Sequence, residues 1–562
     1  VMHPVLAPRE GERVLFLGNE AIVRGALEAG VRVGAAYPGT PSSEIGNNLF
    51  ALSRELPGLY FEFSVNEKVA MEVAAAAAAS GLRSLTCMKH VGLNVAADPF
   101  LTLAYVGVRA GMVVVTADDP SCHSSQNEQD NRYYARLSGV PMLEPATPEE
   151  ARRMTAYAFE LSERLELPVI LRTTTRVSHA RGVVTCGRVR DYSSFEKGRF
   201  EKDLKRWIPV PAVARERHRI LLEKAREAEE LASRSEWNRM IRKGPLGVVA
   251  SGVSVLYVLD ALEELGLSDE VSVLLLGFTH PFPRNLAAEF LSGLERCLVV
   301  EELEPYLEEA LKVVVAERGL SVRILGKAEG YLPRYHEFHP GQVREALARA
   351  FGVDYRPPEI PDTSWVPELP PRPPTLCPGC PHRETYRVVK EVLRELGEEE
   401  NTVYPTDIGC YTLGLLPPLR MADYLLCMGS SAGSACGFSV ATDQRIVAFI
   451  GDSTFFHAGI PPLINALYQG HNFTLVVLDN DTTAMTGHQP VPSQELRPES
   501  LRERPVISIT EFCRSLGIPT VEINPYRKKE AAEAVKPIFT SGKLGVIVSK
   551  APCVLYRAKF KG

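Results

Sequence analysis

The sequence predicts an α/β protein assembled from three doubly wound α/β domains, and three stretches carry that prediction. From residue 13 to about 185, short apolar runs alternate with helical patterns (RVLFLG, VGAAYPG, LYFEFS, RSLTCM, MVVVTADDP, PVILRT), with Gly, Pro or Asp where the runs end. The alternation returns from residue 247 to about 350 (LGVVASG, VSVLLLG, CLVVEELEP, VRILG) and again from residue 377 to about 553. Apolar runs of strand length, separated by patterns of helix length, mark buried parallel strands joined by helical crossovers.

The segments between differ in kind. Residues 188–243 are charged and almost strandless (RERHRILLEKAREAEELASRSEWNRMIRK), which predicts an exposed helical connector. Residues 355–374 (YRPPEIPDTSWVPELPPRPP) form a Pro-rich, extended linker. The expected domains are therefore 1–187, a smaller one at 244–354, and 375–562. A chain of 562 residues exceeds what a single core supports. A net charge of -6 offers no basic footprint, so nucleic acid is excluded as a partner. No apolar run reaches the roughly 18 to 20 residues of a membrane span, so no membrane is expected. The opening VMHPVLAPREGERVLF lacks the parts of a secretory signal, which predicts a cytoplasmic location.

Chemistry concentrates in residues 446–490. One β-branched run ends at Gly451-Asp452-Ser453 and the next at Asp479-Asn480. Two parallel strands would deliver an Asp and an Asn to one sheet edge, where ligands of open α/β sheets bind. Those oxygens, together with a diphosphate, suit a hard divalent cation such as Mg2+. A Gly-Asp alone is ordinarily a turn; the second strand, the Asn and the following TTAMTGHQP favour a clamp. Just before it, MGSSAGSACG (residues 428–437) follows an apolar run and opens a helix, so free N–H groups at Gly429, Ser430 and Ser431 could cradle a diphosphate.

Two helix starts stand out in the first domain. In NEKVAMEVAAAAAASG, Asn66 is expected as N-cap with Glu67 in the first turn, and capping together with the helix dipole explains both. In YPGTPSSEI, Thr40 is expected as N-cap, Pro41 at the first helical position and Glu44 in the first turn.

The eleven cysteines read as thiols and metal ligands rather than disulfides. Cys87, Cys122, Cys186, Cys297, Cys427, Cys436 and Cys513 are isolated, and most are expected to be buried, Cys513 on a helix facing the core. Cys377 and Cys380 (CPGC), Cys410 (TDIGCY) and Cys553 (KAPC) sit in Pro/Gly contexts of the third domain. Four such thiolates satisfy either zinc or an iron-sulfur cluster. A shared site requires that their strand ends meet, with the sulfurs within about 7 Å.

The Gly451-Asp452 and Asn480 pair resembles the thiamine diphosphate signature. LCPGCPHR, DIGC, GDSTFFHAGIPPLINALYQG, LDNDTTAMTGHQP, YPGTPSSE and SVNEKVAMEVA together resemble the α subunits of indolepyruvate:ferredoxin oxidoreductases, in the 2-oxoacid:ferredoxin oxidoreductase superfamily, from about residue 13 to 557. The resemblance implies a thiamine diphosphate-binding fold, with pyrimidine-binding (1–187), transketolase-C-like (244–354) and diphosphate-binding (375–562) domains. It implies Mg2+ on Asp452, the Asn480 side chain and a carbonyl near Thr482, and a diphosphate near residues 429–431, Gly451 and Ser453. Glu67 would bond the aminopyrimidine ring of the cofactor and Thr40 the oxoacid. It implies oxidative decarboxylation of arylpyruvates with CoA as co-substrate, giving aryl-acetyl-CoA, CO2 and reduced ferredoxin. That redox chemistry needs a one-electron acceptor close by, which favours a 4Fe-4S cluster on Cys377, Cys380, Cys410 and Cys553 over zinc. The implied partners are a β subunit, in an α2β2 assembly, and ferredoxin. One departure is that the family's chain usually continues past PCVL into a Cys-rich ferredoxin-like module, whereas this sequence stops at Gly562, which leaves the onward electron path open. The alternatives are a non-redox thiamine diphosphate-dependent 2-oxoacid decarboxylase and a regulatory subunit without turnover; the joint presence of Glu67, Asp452 and Asn480 disfavours the second.

Overall fold

The computed structural model describes residues 2–359 and 361–560, which divide into two compact units, Val1–Pro361 and Asp362–Gly562. The division falls within the Pro-rich segment, whose described residues are exposed apart from the half-buried Tyr355 and carry no helix or strand.

The strands of the first unit are β1 (Arg13–Leu17), β2 (Val33–Ala36), β3 (Tyr60–Phe63), β4 (Ser84–Lys89), β5 (Met112–Asp118), β6 (Met142–Leu143) and β7 (Val169–Thr174), followed by β8 (Arg181–Thr185), β9 (Asn238–Ile241), β10 (Leu246–Ser251), β11 (Val271–Leu276), β12 (Phe278–His280), β13 (Arg296–Val300) and β14 (Arg323–Leu325). A seven-stranded sheet runs β12-β6-β7-β5-β4-β2-β3, parallel except where β12 joins β6. Every residue of β5 and β7 is buried, as expected of parallel strands covered on both faces. A five-stranded sheet runs β14-β13-β10-β11-β9, with only β9 antiparallel.

Two features correct the expected strand plan. RVLFLG does not enter the parallel sheet: β1 pairs antiparallel with β8 in a sheet of its own. Phe16 and Val184 are buried, while Leu15 and Val183 are 56% and 51% exposed. This half-wet alternation suits a two-stranded ribbon and not a strand covered on both sides. In addition, β12 lies among the strands of the second sheet in sequence but pairs with β6 of the first.

A buried charge network also joins the two sheets. Arg132 pairs with Asp130 (2.7 Å) and Glu301 (2.6 Å) and donates to the Glu302 and Glu304 carbonyls at 2.9 Å. Arg172 pairs with Asp118 (2.8 Å) and Glu144 (2.7 Å). Buried charges persist only when paired in this way. The charged connector contains a helix, Pro211–Ser233, that buries Leu221, Ala228 and Ala232 on one stripe.

The second unit has a single sheet built from β15 (Thr402–Val403), β16 (Arg445–Gly451), β17 (Thr474–Asp479), β18 (Thr520–Ile523) and β19 (Gly545–Lys550). Its order is β15-β16-β17-β19-β18 and all pairs are parallel. Gly451 pairs with Leu478 and Asp479 with Lys550, so Asp452, Asn480 and Ala551 all leave the sheet at one edge.

Candidate active site

At that edge Asp452 is buried. Its Oδ1 accepts from the Ser453 N–H at 2.7 Å and its Oδ2 from the Asn480 N–H at 3.2 Å. Burial first, and the neighbouring Asp479 second, push the Asp452 carboxyl well above the usual carboxylate range. The Asn480 Nδ2 lies 3.3 Å from His382 Nε2. Its amide oxygen faces the Thr482 carbonyl oxygen at 2.8 Å and Asp452 Oδ2 at 3.3 Å. Turned the other way, the amide NH2 would donate to both of these oxygens; with the amide oxygen there, the three bare oxygens repel unless a cation lies among them. Adjacent corners of a Mg2+ octahedron with bonds of about 2.1 Å stand about 3 Å apart. With its oxygen inward, the Asn480 amide stands 2.8 and 3.3 Å from the other two oxygens, a spacing that suits a hard cation.

The expected cradle differs. The helix Ser430–Ala441 begins after Gly429, its N-cap at φ 86°, but none of the three N–H groups is free. Gly429 and Ser431 donate to the Asp407 carboxylate at 2.6 and 3.1 Å, and Ser430 donates to the Cys427 carbonyl at 3.1 Å. Asp407 is fully buried, and burial pushes its carboxyl up to about 6. A buried carboxylate needs N–H donors, and the helix start is where unpaired ones occur. Ser453 Oγ accepts from Thr483 Oγ1 at 3.1 Å, and the Tyr411 ring covers Gly451, where an added Cβ would come within 2.7 Å of it.

The four cysteine segments meet within this unit. Burial raises the Cys410 thiol to about 12, and Cys380, Cys553 and Cys377 add to the effect, so the four are electrostatic neighbours. Cys380 and Cys553 are buried, Cys377 and Cys410 half-buried. The Cys553 N–H donates to the Asn480 carbonyl at 2.9 Å. Among the described residues, no group of three or more His, Cys, Asp or Glu converges on a single metal position. Cys513 lies in the core, as expected; of the isolated cysteines only Cys427 is exposed and Cys122 half-buried.

In the first unit, Asn66 caps the helix Glu67–Ala79 by accepting from the Val69 N–H at 2.9 Å. Glu67 is buried in the first turn, where a Cβ on Gly92 would approach its Oε1 to 2.7 Å. Thr40 is half-buried but is not an N-cap: the Thr40–Pro41 peptide is cis, and the helix Ser43–Leu52 begins later, after Ser42. The intervening turn is held by Ser42 Oγ donating to the Gly39 carbonyl at 2.8 Å and Asn19 Nδ2 donating to the Pro41 carbonyl at 2.6 Å. Lys89, at the end of β4, lies over Gly39 and donates to the Ser124 carbonyl at 2.7 Å; burial lowers its ammonium below the usual range.

Sequence reasoning missed His382, Asp407 and Lys89. The first two lie inside motifs read for their cysteines, CPGCPHR and TDIGCY. Burial lowers His382 to about 4, so its ring is neutral at ordinary pH.

Two family models match: pyruvate flavodoxin/ferredoxin oxidoreductase, thiamine diphosphate-binding, over residues 24–236, and the thiamine pyrophosphate enzyme C-terminal binding domain over residues 407–549. Fold and site thus define a thiamine diphosphate-binding 2-oxoacid oxidoreductase, and the non-redox decarboxylase alternative is not favoured. The chain is 54% identical to the indolepyruvate oxidoreductase subunit IorA of Methanothermobacter thermautotrophicus, over 100% of this chain and 90% of that one. It is 43% identical to the IorA of Archaeoglobus fulgidus (99% and 89%) and 45% identical to that of Thermococcus kodakarensis (98% and 88%). The chain belongs to the indolepyruvate oxidoreductase IorA family. No helix among the described residues is long and apolar enough to cross a membrane.

Proposed function

We propose that the chain is the thiamine diphosphate-bearing α subunit of an enzyme that oxidatively decarboxylates indolepyruvate and related arylpyruvates with CoA and reduces ferredoxin. The observation that carries this reading is the Asn480 side-chain amide set 3.3 Å from Asp452 Oδ2 and 2.8 Å from the Thr482 carbonyl at the carboxyl end of the parallel sheet. These three groups would hold Mg2+, which neutralises a diphosphate beside Gly451 and Ser453. Bound thiamine diphosphate supplies the nucleophilic carbon and the electron sink that decarboxylation of a 2-oxoacid requires. Residues 429–431 contact the diphosphate only where Asp407 yields their N–H groups. Glu67 would hold and move a proton at the aminopyrimidine, and Thr40 would make a polar contact to the oxoacid.

A 4Fe-4S cluster takes one thiolate at each of four corners, so its ligands must be neighbours without converging on one point. Cys377, Cys380, Cys410 and Cys553, whose thiols influence one another electrostatically, are the ligands this reading assigns, and a cluster on them would carry electrons away singly. The relatives' names denote a subunit, which supports a β partner; an α2β2 assembly and a cytoplasmic location are parts of the same proposal. The 7-stranded and 5-stranded sheets of the first unit are assigned to pyrimidine-binding and transketolase-C-like domains, and the second unit to the diphosphate-binding domain.

The test is an anaerobic assay of the chain with its partner subunit over a panel of 2-oxoacids, with CoA and a viologen acceptor. Aryl substrates should reduce the viologen fastest and yield acyl-CoA. CO2 release without viologen reduction would overturn the redox role.

A further inference from the structure

We propose that His382 is a positioning residue that selects the metal-binding orientation of the Asn480 amide. This rests on the clamp reading above. An Asn amide fits its space almost equally well in two orientations, and its hydrogen-bond partners decide between them. With oxygen inward, the amide completes the trio with Asp452 Oδ2 and the Thr482 carbonyl, and Nδ2 points at His382 Nε2, 3.3 Å away. With nitrogen inward, the amide would donate to Asp452 Oδ2 at 3.3 Å and to the Thr482 carbonyl at 2.8 Å, and its oxygen would accept from His382 Nε2 at 3.3 Å. The second arrangement fills the cation position with an NH2 group. Without a cation it makes more hydrogen bonds, so the ligating orientation needs a partner that rejects the amide oxygen.

His382 is placed for that task. With its proton on Nδ1, the ring offers Nε2 as an acceptor: it takes a hydrogen bond from Nδ2 and repels Oδ1. It is 4% exposed, lies in the first turn of the helix Pro381–Glu395, and meets the Tyr411 ring edge-on at 5.8 Å. The rest of Asn480 is already fixed, its N–H on Asp452 and its carbonyl on the Cys553 N–H. The amide orientation is the remaining freedom, and His382 is the group facing it from outside the clamp.

The test is Mn2+ affinity of the full chain with thiamine diphosphate, read by electron paramagnetic resonance, with thermal unfolding as a fold control. His382→Phe, and His382→Leu should Phe not fit, remove the acceptor and should weaken Mn2+ binding by about 10- to 100-fold, the usual effect of removing an outer partner of a metal ligand. In an Asn480→Asp background both inward atoms are oxygen whichever way the group turns, so the same substitution should change affinity less than about 3-fold. Equal losses in the two backgrounds, or no loss in either, would overturn the proposal while leaving the clamp standing. Undiminished Mn2+ affinity in Asp452→Ala would overturn the clamp, and the proposal with it.

Discussion

Glu67 shows how much one residue depends on its neighbours' smallness. Asn66 starts its helix, the helix N-terminus favours its negative charge, and Gly92 leaves the space its carboxylate occupies. Glu67→Gln keeps the shape and removes the titratable proton. Thiamine diphosphate should remain bound while kcat falls by about 10²- to 10⁴-fold, the usual worth of a positioned acid-base group. Cofactor content and kcat measured on the same preparation check this, and an undiminished kcat would reject the role. Asn66 and Glu67 were legible because helix capping is local. His382 and Asp407 were not, since their partners lie on segments far away in sequence.

At the scale of elements, the turn before the helix Ser430–Ala441 shows what a left-handed residue permits. Gly429 sits at φ 86°, and a Cβ there would lie 2.4 Å from the Ala458 Cβ in the π-helical turn Phe455–Gly459. Gly429→Ala should therefore lose at least about 2 kcal/mol, from left-handed strain and overpacking together. It should also weaken cofactor binding, because the displaced segment carries Asp407's donors. Denaturant unfolding and a thiamine diphosphate titration measure the two effects, and an unchanged midpoint would show that the turn does not need glycine. The strands were the most readable elements. β5, β7, β10, β11, β16 and β17 are apolar runs because both faces of a parallel sheet are covered. β1 has the same composition, and its different sheet is decided by β8, which follows long after it in the chain.

At the scale of the whole molecule, the charge network of the first unit makes stability depend on pH. Glu302 is buried, accepts from the Phe338 N–H at 2.7 Å, and is pushed up to about 7 by that burial. An unfolded glutamate titrates near 4.3. Between these values the folded chain binds more protons than the unfolded one, so this group's contribution falls as pH rises through the window and stays low above about 7. Glu302→Gln keeps an acceptor for Phe338 and removes the charge. Relative to wild type it should gain up to about 3 kcal/mol near pH 8 and almost nothing near pH 4. Thermal unfolding of both proteins across that range checks it, and a difference independent of pH would show that Glu302 titrates normally.

The sequence by itself determined the α/β class, the strands that form the sheet interiors, the placing of Asp452 and Asn480 at one sheet edge and the family resemblance. Each of these follows from local pattern: apolar runs, the residues that end them, and motifs only a few residues long. Tertiary structure decided the rest. It put β1 outside the parallel sheet, spent the N–H groups of residues 429–431 on Asp407, moved the helix start from Thr40 to Ser42, and set His382 against the Asn480 amide. Those outcomes depend on which buried polar group finds which partner. Unpaired polar groups are too unfavourable inside a protein to leave, and the partner that satisfies them is chosen by packing between segments remote in sequence.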